Sequence, residues 1–485
     1  MRNPFRRRPA AGPAAPKGRR PLARRVIEDG LVALLIFSPL PAASVNEWSV
    51  FIIELAAGLM AAAYILLEPK PIINEGLAAA LKPMKAVAAG FFGFLVFQII
   101  PLPAALVHVL SPGAYGFRKL YAPEFARARF MSLSVAPGRT LQAGLEILAY
   151  FIVGFLLVMT VTRGSQMRKI IHVLIGCGVF QAVYGIYALA APEPRILFYR
   201  KVFSLDSVTG TFVNRSHLSG YLEMIVPLAV GLAIARMNLF SVSVKNLRER
   251  FVLMMSQGVA ANLLVGASIV IMSLAILLSN SRSGLVVLVF GFFLFTGLSV
   301  LAVGRAGYRE LWVRNFIRGT VFVILALSLY VGIGSTIQRF AMDDLLHEDR
   351  PLYWSNVVGM IRDFPLFGTG LGTFAAAYPA YEKRGGPEML LTHAHNDYLE
   401  YVSELGLVGA LLLFGGIVYL AVKAFLAWKE RRNPEVKGLA LGGIVSLAGM
   451  GLHTLTDFNL HIPANMLLFT VVLSLTLIAS YHRKA

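Results

Sequence analysis

Apolar runs of about 18–22 residues recur from one end of this chain to the other, and no other feature limits its fold so sharply. Each is long enough to carry a helix across a hydrocarbon core ~30 Å thick. Inside that core every backbone N–H and C=O must be satisfied within a helix or a closed barrel. Barrel strands alternate apolar and polar residues over about ten positions. These runs are longer and uniformly apolar, so helices are expected. Only 15% of the 485 residues are charged, against about 25% in a soluble domain. The chain therefore reads as an all-α polytopic membrane protein.

Twelve transmembrane helices are expected, at 29–44, 48–67, 84–106, 143–161, 170–190, 218–239, 259–278, 284–303, 319–335, 405–427, 438–456 and 463–480. The first is short, and Pro39 and Pro41 limit its end. An even number of spans puts both termini on one side. About 30 Lys and Arg fall in tails and loops on that side and about 15 on the other, so the positive-inside rule makes it the cytoplasm. Lys245, Arg248 and Arg250 lie there, as do Arg305, Arg309, Arg314 and Arg318, and Lys429, Arg431 and Arg432. The same distribution accounts for the net charge of +19, which in a soluble protein would point to nucleic acid. The expected surroundings are membrane lipid, with no nucleic acid.

Four segments follow. Residues 1–25, rich in Arg, Pro and Ala, read as a disordered basic cytoplasmic tail. A signal peptide is the competing reading, opposed by the length of the basic region and by the span that follows almost at once. Residues 26–335 hold spans one to nine, 336–404 form a large structured outer loop before the tenth, and 405–485 hold spans ten to twelve. The single Cys177 sits inside an apolar run, so no disulfide forms within one chain.

Polar residues gather in the outer connections 107–142, 191–217 and above all 336–404. Closely spaced Gly and Pro over Phe364–Gly372 indicate tight turns between short helices rather than a free tether. The loop ends in Thr392-His393-Ala394-His395-Asn396-Asp397-Tyr398-Leu399-Glu400 and runs into Glu404-Leu405-Gly406-Leu407-Val408-Gly409. Gly406 and Gly409 read as a close helix contact behind a site.

Among the outer basic residues, Arg215 lies in a polar cluster with His217, and Arg282 in the turn Ser279–Gly284. Arg350 sits early in the large loop. A boundary arginine can simply snorkel. In a partly desolvated cluster, a guanidinium also suits bidentate binding of phosphate or diphosphate. His393 and His395 share a face only in an extended segment. Two histidines without a clear third and fourth ligand make a weak zinc signal, so no metal is expected. A general base or polar positioner suits His395 better, with Asn396 and Glu404 as candidates to orient it. Asp457, His453 and His461 cluster near the last outer turn and count as supporting candidates. Glu54, Glu146, Glu223, His172 and Gln181 are polar residues within spans, with no ranking among them. A nucleophile elbow, a Walker loop and a Rossmann fingerprint are all lacking, so no nucleotide or redox cofactor is expected.

His395-Asn396, then nine residues, then Gly406-Leu407-Val408-Gly409 resembles the signature of bacterial O-antigen ligases. Thr211–Leu218, Ser281–Gly284, and Arg350 with Trp354 and Ile361–Phe374 are similar to further segments of the O-antigen ligase and polymerase superfamily. The resemblance covers roughly 205–420. It implies a membrane glycosyltransferase of the GT-C type in the bacterial inner membrane, with its active site on the periplasmic side. The donor would be a glycan on undecaprenyl diphosphate, and no metal or other cofactor would be needed. The acceptor would be lipid A-core for a ligase, or a second lipid-linked glycan for a polymerase of O-antigen or exopolysaccharide. The resemblance implies that Arg215 and Arg282 bind the donor diphosphate and that His395 activates the acceptor hydroxyl. Arg350, His393, Asn396, Glu404, His217 and Asp457 would support them. The rivals are a polysaccharide transporter or flippase, which would show repeated halves and midplane sites, and a scaffold for other envelope enzymes.

Overall fold

A computed structural model describes residues 22–67, 73–122, 128–237, 257–303, 319, 350–382, 391–431 and 433–482. Among these residues, ten helices are long and apolar enough to cross a membrane. They are α2 (Glu47–Leu67), α3 (Glu75–Ile99), α6 (Pro137–Thr160), α7 (Gly164–Ala190), α8 (Arg215–Met237), α9 (Gln257–Leu278), α10 (Arg282–Val303), α13 (Asp397–Lys429), α14 (Pro434–His453) and α15 (Pro463–Tyr481). Each overlaps an expected span, so the chain is an all-α polytopic membrane protein. The expected span 319–335 lies outside the described residues except for residue 319, as does the tail up to residue 21.

Several expected boundaries shift; helices begin at Pro137, Gly164 and Asp397 rather than 143, 170 and 405, and two further shifts have a local cause. The first helix, α1, is Leu22–Phe37 rather than 29–44. Pro39 and Pro41 cannot continue a helix, and Ala42, Ala43 and Ser44 turn the chain with φ of 52°, 61° and 59°. The third span begins at Glu75, not 84, because the Asn74 side chain accepts the Gly76 N–H at 2.8 Å and caps the helix there. That helix runs on through Pro83 and stops before Pro101.

The centre of the bundle is α8, buried along its apolar length. It packs on α7, α9, α10, α14 and α15. Its crossing with α14 is a backbone contact: a Cβ on Gly442 would stand 2.5 Å from the Pro227 carbonyl oxygen. One continuous apolar core joins these helices, from Ile27 to Ala479.

Outside the spans, short elements build two small cores. The pieces are α4 (Ala104–Leu110), α5 (Pro112–Tyr121), α11 (Arg350–Asp363) and α12 (Phe374–Ala377), with an antiparallel pair, β1 (Leu102–Pro103) and β2 (Phe130–Met131). A second pair, β3 (Arg195–Ile196) and β4 (Tyr199–Arg200), lies in the loop before α8. Phe364 closes one core with Val107, Ala114, Met131 and Leu133. Val357, Met360, Phe374, Tyr378 and Ala394 make the other.

The decisive local feature is a break in α13. Gly406 adopts φ 59° and ψ −173°, which splits a polar head (397–405) from an apolar shaft (407–429). A break frees carbonyls on one side and N–H groups on the other, and buried ones need partners. The glycine-rich strand supplies them. Thr369 N and Gly370 N donate to the carbonyls of Ser403 and Glu404 at 3.0 and 2.9 Å, while Leu407 N and Val408 N donate to Pro365 O and Leu366 O at 2.9 and 3.1 Å. Gln98 of α3 joins the knot, donating to Phe367 O at 2.7 Å. Gly368, with φ 66°, passes so close that a Cβ there would lie 2.1 Å from the Glu404 carbonyl oxygen. The expected role of Gly406 as a helix contact is thus corrected: it is a break. Gly409 does make the contact, against Phe94.

Candidate active site

Two polar centres flank the start of α13. The first is an arginine corner where α8 and α10 begin. Asn214 accepts the Ser216 N–H at 2.8 Å and Ser281 Oγ accepts the Gly284 N–H at 3.2 Å, so both helix starts are capped by side chains. Asn280, at φ 54°, makes the tight turn between α9 and α10. The two starts are bonded together, Ser216 Oγ to Ser281 Oγ at 3.1 Å and Ser219 Oγ to Ser279 Oγ at 2.8 Å. Arg215 and Arg282 are the first residues of these abutting helices. Unpaired N–H groups and the helix dipole make such ends favourable for anions. Arg215 donates to Ser207 Oγ at 3.2 Å and stands 3.9 Å from the exposed Asp206. Buried Lys201 donates to the Ser207 carbonyl at 2.7 Å and steadies the same loop. Its burial lowers its pKa.

The second centre is a histidine lobe between the head of α13 and the turn 454–462. The Asp397 N–H donates to Thr454 O at 3.0 Å and docks the helix start on this turn. Asp457 is fully buried, with Oδ1 3.4 Å from His395 Nδ1 and 3.6 Å from His217 Nε2. Burial opposes its charge, but the two imidazoles hold it well below the ordinary carboxylate range. His217 lies on α8 two residues beyond Arg215, so this one carboxylate links the arginine corner to His395.

Phe458 is the shared wall. His393 stacks on its ring at 4.2 Å, while His217 and His395 meet it edge-on at 4.5 and 4.8 Å. Although both touch Phe458, His393 and His395 face different acids. His393 Nδ1 is 2.8 Å from Glu400 Oε1. His461 Nδ1 is 2.6 Å from Asp397 Oδ1 and stacks on Tyr401 at 4.3 Å. Burial works against a proton on His461, but Glu400 and Asp397 push its pKa up to about 10.

The remaining expected residues have defined places. Arg350 opens α11 and donates to Thr456 O at 2.7 Å, tying the large loop to the turn beside Asp457. Asn396 caps α13 through Leu399 N at 3.0 Å and donates to Leu455 O at 2.8 Å. Glu404 accepts Gly372 N and Phe374 N at 2.9 and 2.7 Å, which fixes the glycine-rich strand. The carboxylate that faces His395 is therefore Asp457, and Asn396 and Glu404 serve the backbone around it. His453 pairs with Glu223 at 2.8 Å in the buried crossing of α14 and α8. Sequence reasoning gave no role to Phe458, Lys201 or Ser207. Phe458 carried a faint signal, an aromatic between the polar Asp457 and Asn459 just before the last span.

The multi-pass helical bundle thus carries an arginine corner and a histidine lobe side by side. Residues 267–414 match the family model described as O-Antigen ligase, and this match supports the resemblance to the O-antigen ligase and polymerase superfamily. The matched stretch includes Arg282, Arg350, His393 and His395. No curated protein matches the chain.

Proposed function

We propose that the chain transfers a glycan from undecaprenyl diphosphate to an acceptor hydroxyl at the periplasmic face of a bacterial inner membrane. The acceptor in this reading is a sugar of the lipid A-core, as for an O-antigen ligase. One observation carries it: two bonded helix starts, each opening on an arginine, are joined through His217 and Asp457 to His395.

In this reaction Arg215 and Arg282 hold the donor diphosphate. The acceptor oxygen bonds to the anomeric carbon as the bond from that carbon to the diphosphate oxygen breaks. The hydroxyl proton passes to Nε2 of His395. Asp457, facing Nδ1, keeps a proton on that nitrogen and leaves Nε2 free to accept. The electron pair leaves with undecaprenyl diphosphate, and cations already in place meet the growing charge. The donor bond is already activated, so no nucleotide is needed.

A polymerase is the second reading, with another lipid-linked glycan as acceptor. It is favoured by α11 and α12, which build a separate core around Tyr378 and Ala394 next to the histidines. Purified protein is incubated with a lipid-linked oligosaccharide, with and without lipid A-core. A capped product that requires the core supports the ligase. A ladder made without it moves the reading to the polymerase. Folded protein that makes neither overturns both.

A further inference from the structure

The histidine lobe contains a group of side chains that glycan transfer does not use. Asp397 and Glu400 are three residues apart on the head of α13 and share one face. Asp397 is saturated: Oδ1 holds His461 Nδ1 at 2.6 Å and Oδ2 accepts Leu460 N at 2.9 Å. This contact fixes the imidazole with its other nitrogen inward. His461 Nε2 is buried, has no hydrogen bond among the described residues, and points at Glu400 Oε1 at 3.5 Å. Glu400 Oε2 is taken by Ala394 N at 2.7 Å, which leaves Oε1 to His461 and to His393 Nδ1 at 2.8 Å.

Three inward atoms result, two imidazole nitrogens and one carboxylate oxygen, all within 4.8 Å of one another. A tetrahedral zinc ion, about 2.0–2.1 Å from each ligand, needs its ligand atoms roughly 3.3 Å apart. The separations of 2.8 and 3.5 Å lie on either side of that value. Each ligand is held from behind. Asp397 braces His461, the Ala394 N–H braces Glu400, Phe458 stacks on His393 and Tyr401 on His461. A carboxylate behind a liganding histidine is the usual outer partner of zinc.

We propose that His393 Nδ1, Glu400 Oε1 and His461 Nε2 form a three-ligand site for a divalent cation of the zinc class, with a fourth position open to water or a substrate oxygen. Two nitrogens and one oxygen favour zinc over magnesium or calcium, which prefer all-oxygen sites. The third ligand was not legible from the His393/His395 pair, because His461 comes from the far side of α14. This proposal does not depend on the glycosyl-transfer reading, and it adds an ion where the family resemblance implies none.

The test uses the full-length chain in detergent, stripped with a chelator and titrated with Zn2+. Metal content, calorimetry and melting temperature are the readouts. The expected result is about one equivalent of zinc and a raised melting temperature that the chelator reverses. His461→Ala should abolish binding, and Asp397→Asn should weaken it by about 10–100-fold. His108→Ala, at an exposed position on α4, should bind like the parent. His393→Gln is the second ligand variant, should His461→Ala fail to fold. Parent protein that takes up no more zinc than His461→Ala or His393→Gln, or whose melting temperature is unmoved by saturating zinc, overturns the proposal. The lobe would then hold protons alone.

Discussion

The arginine corner and the histidine lobe are built from opposite materials. The corner is made of helix starts, hydroxyls and two arginines, and Asp206, which stands 3.9 Å from Arg215, is exposed. The lobe is made of imidazoles set against three buried carboxylates, Asp397, Glu400 and Asp457. A site rich in fixed cations and N–H groups waits for an anion. A site of buried acids waits for a proton or a metal ion. The two lie side by side, linked by one carboxylate between His217 and His395; in the proposed reaction a single substrate complex would meet positive charge at its leaving group and a proton acceptor at its incoming oxygen.

The largest expected effect comes from emptying the corner of charge. Arg215→Ala combined with Arg282→Ala should lower glycan transfer by at least about 10³-fold, since each donor at a developing charge is worth about 10²–10³. Arg215→Lys alone should retain part of the parent rate, because charge is kept and only the fork is lost. Assay in membranes with equal protein levels measures this. Wild-type rates in the double variant would show that the corner does not hold the donor.

The next effect is on stability. Gly368→Ala places a methyl group on the Glu404 carbonyl and keeps a left-handed φ. It should cost about 3 kcal/mol from strain and overlap. A fall in melting temperature of the purified protein, with a matching loss at Gly406→Ala, would show that the head of α13 is held by this knot. An unchanged melting temperature would show that the two segments hold themselves in place.

The smallest effect tests the link. Asp457→Asn keeps the shape but removes the charge shared by His217 and His395, and should slow transfer by about tenfold. A carboxylate held below its usual range contributes at every pH above about 4 and is lost only as acid titrates it in the fold. The Asp457 carboxylate should therefore stay charged from about pH 6 to about pH 8, with a carboxylate carbon signal that does not titrate. A signal that titrates between them would break the assignment of a permanent charge to Asp457.

Much of the bundle was legible because membrane helices must be apolar for their whole length, and that pattern survives in one sequence. The ends were less so. Asn74 extended α3 by capping it early, and Pro39 with Pro41 cut α1 short, both through contacts of one or two residues. The site was legible as a list of polar residues, but not as pairs. Asn396 and Glu404 are near His395 in sequence, yet their polar groups go to backbone. Asp457 and His461 reach the lobe across α14, and only the packed bundle reveals which acid meets which imidazole. Gly406 looked like a packing glycine because a break and a close contact demand the same residue.

That break also decouples two mechanical tasks. The shaft of α13 is an ordinary membrane rod, and a rod tilts when the thickness of its bilayer changes. The head carries Asp397 and Glu400, and four backbone bonds pin the joint to a strand outside the rod. With the joint at Gly406, a change of tilt in the shaft turns about one residue rather than swinging the whole head. The spacing of the buried acids and imidazoles around that head is thereby insulated from the lipid composition of the membrane that holds them.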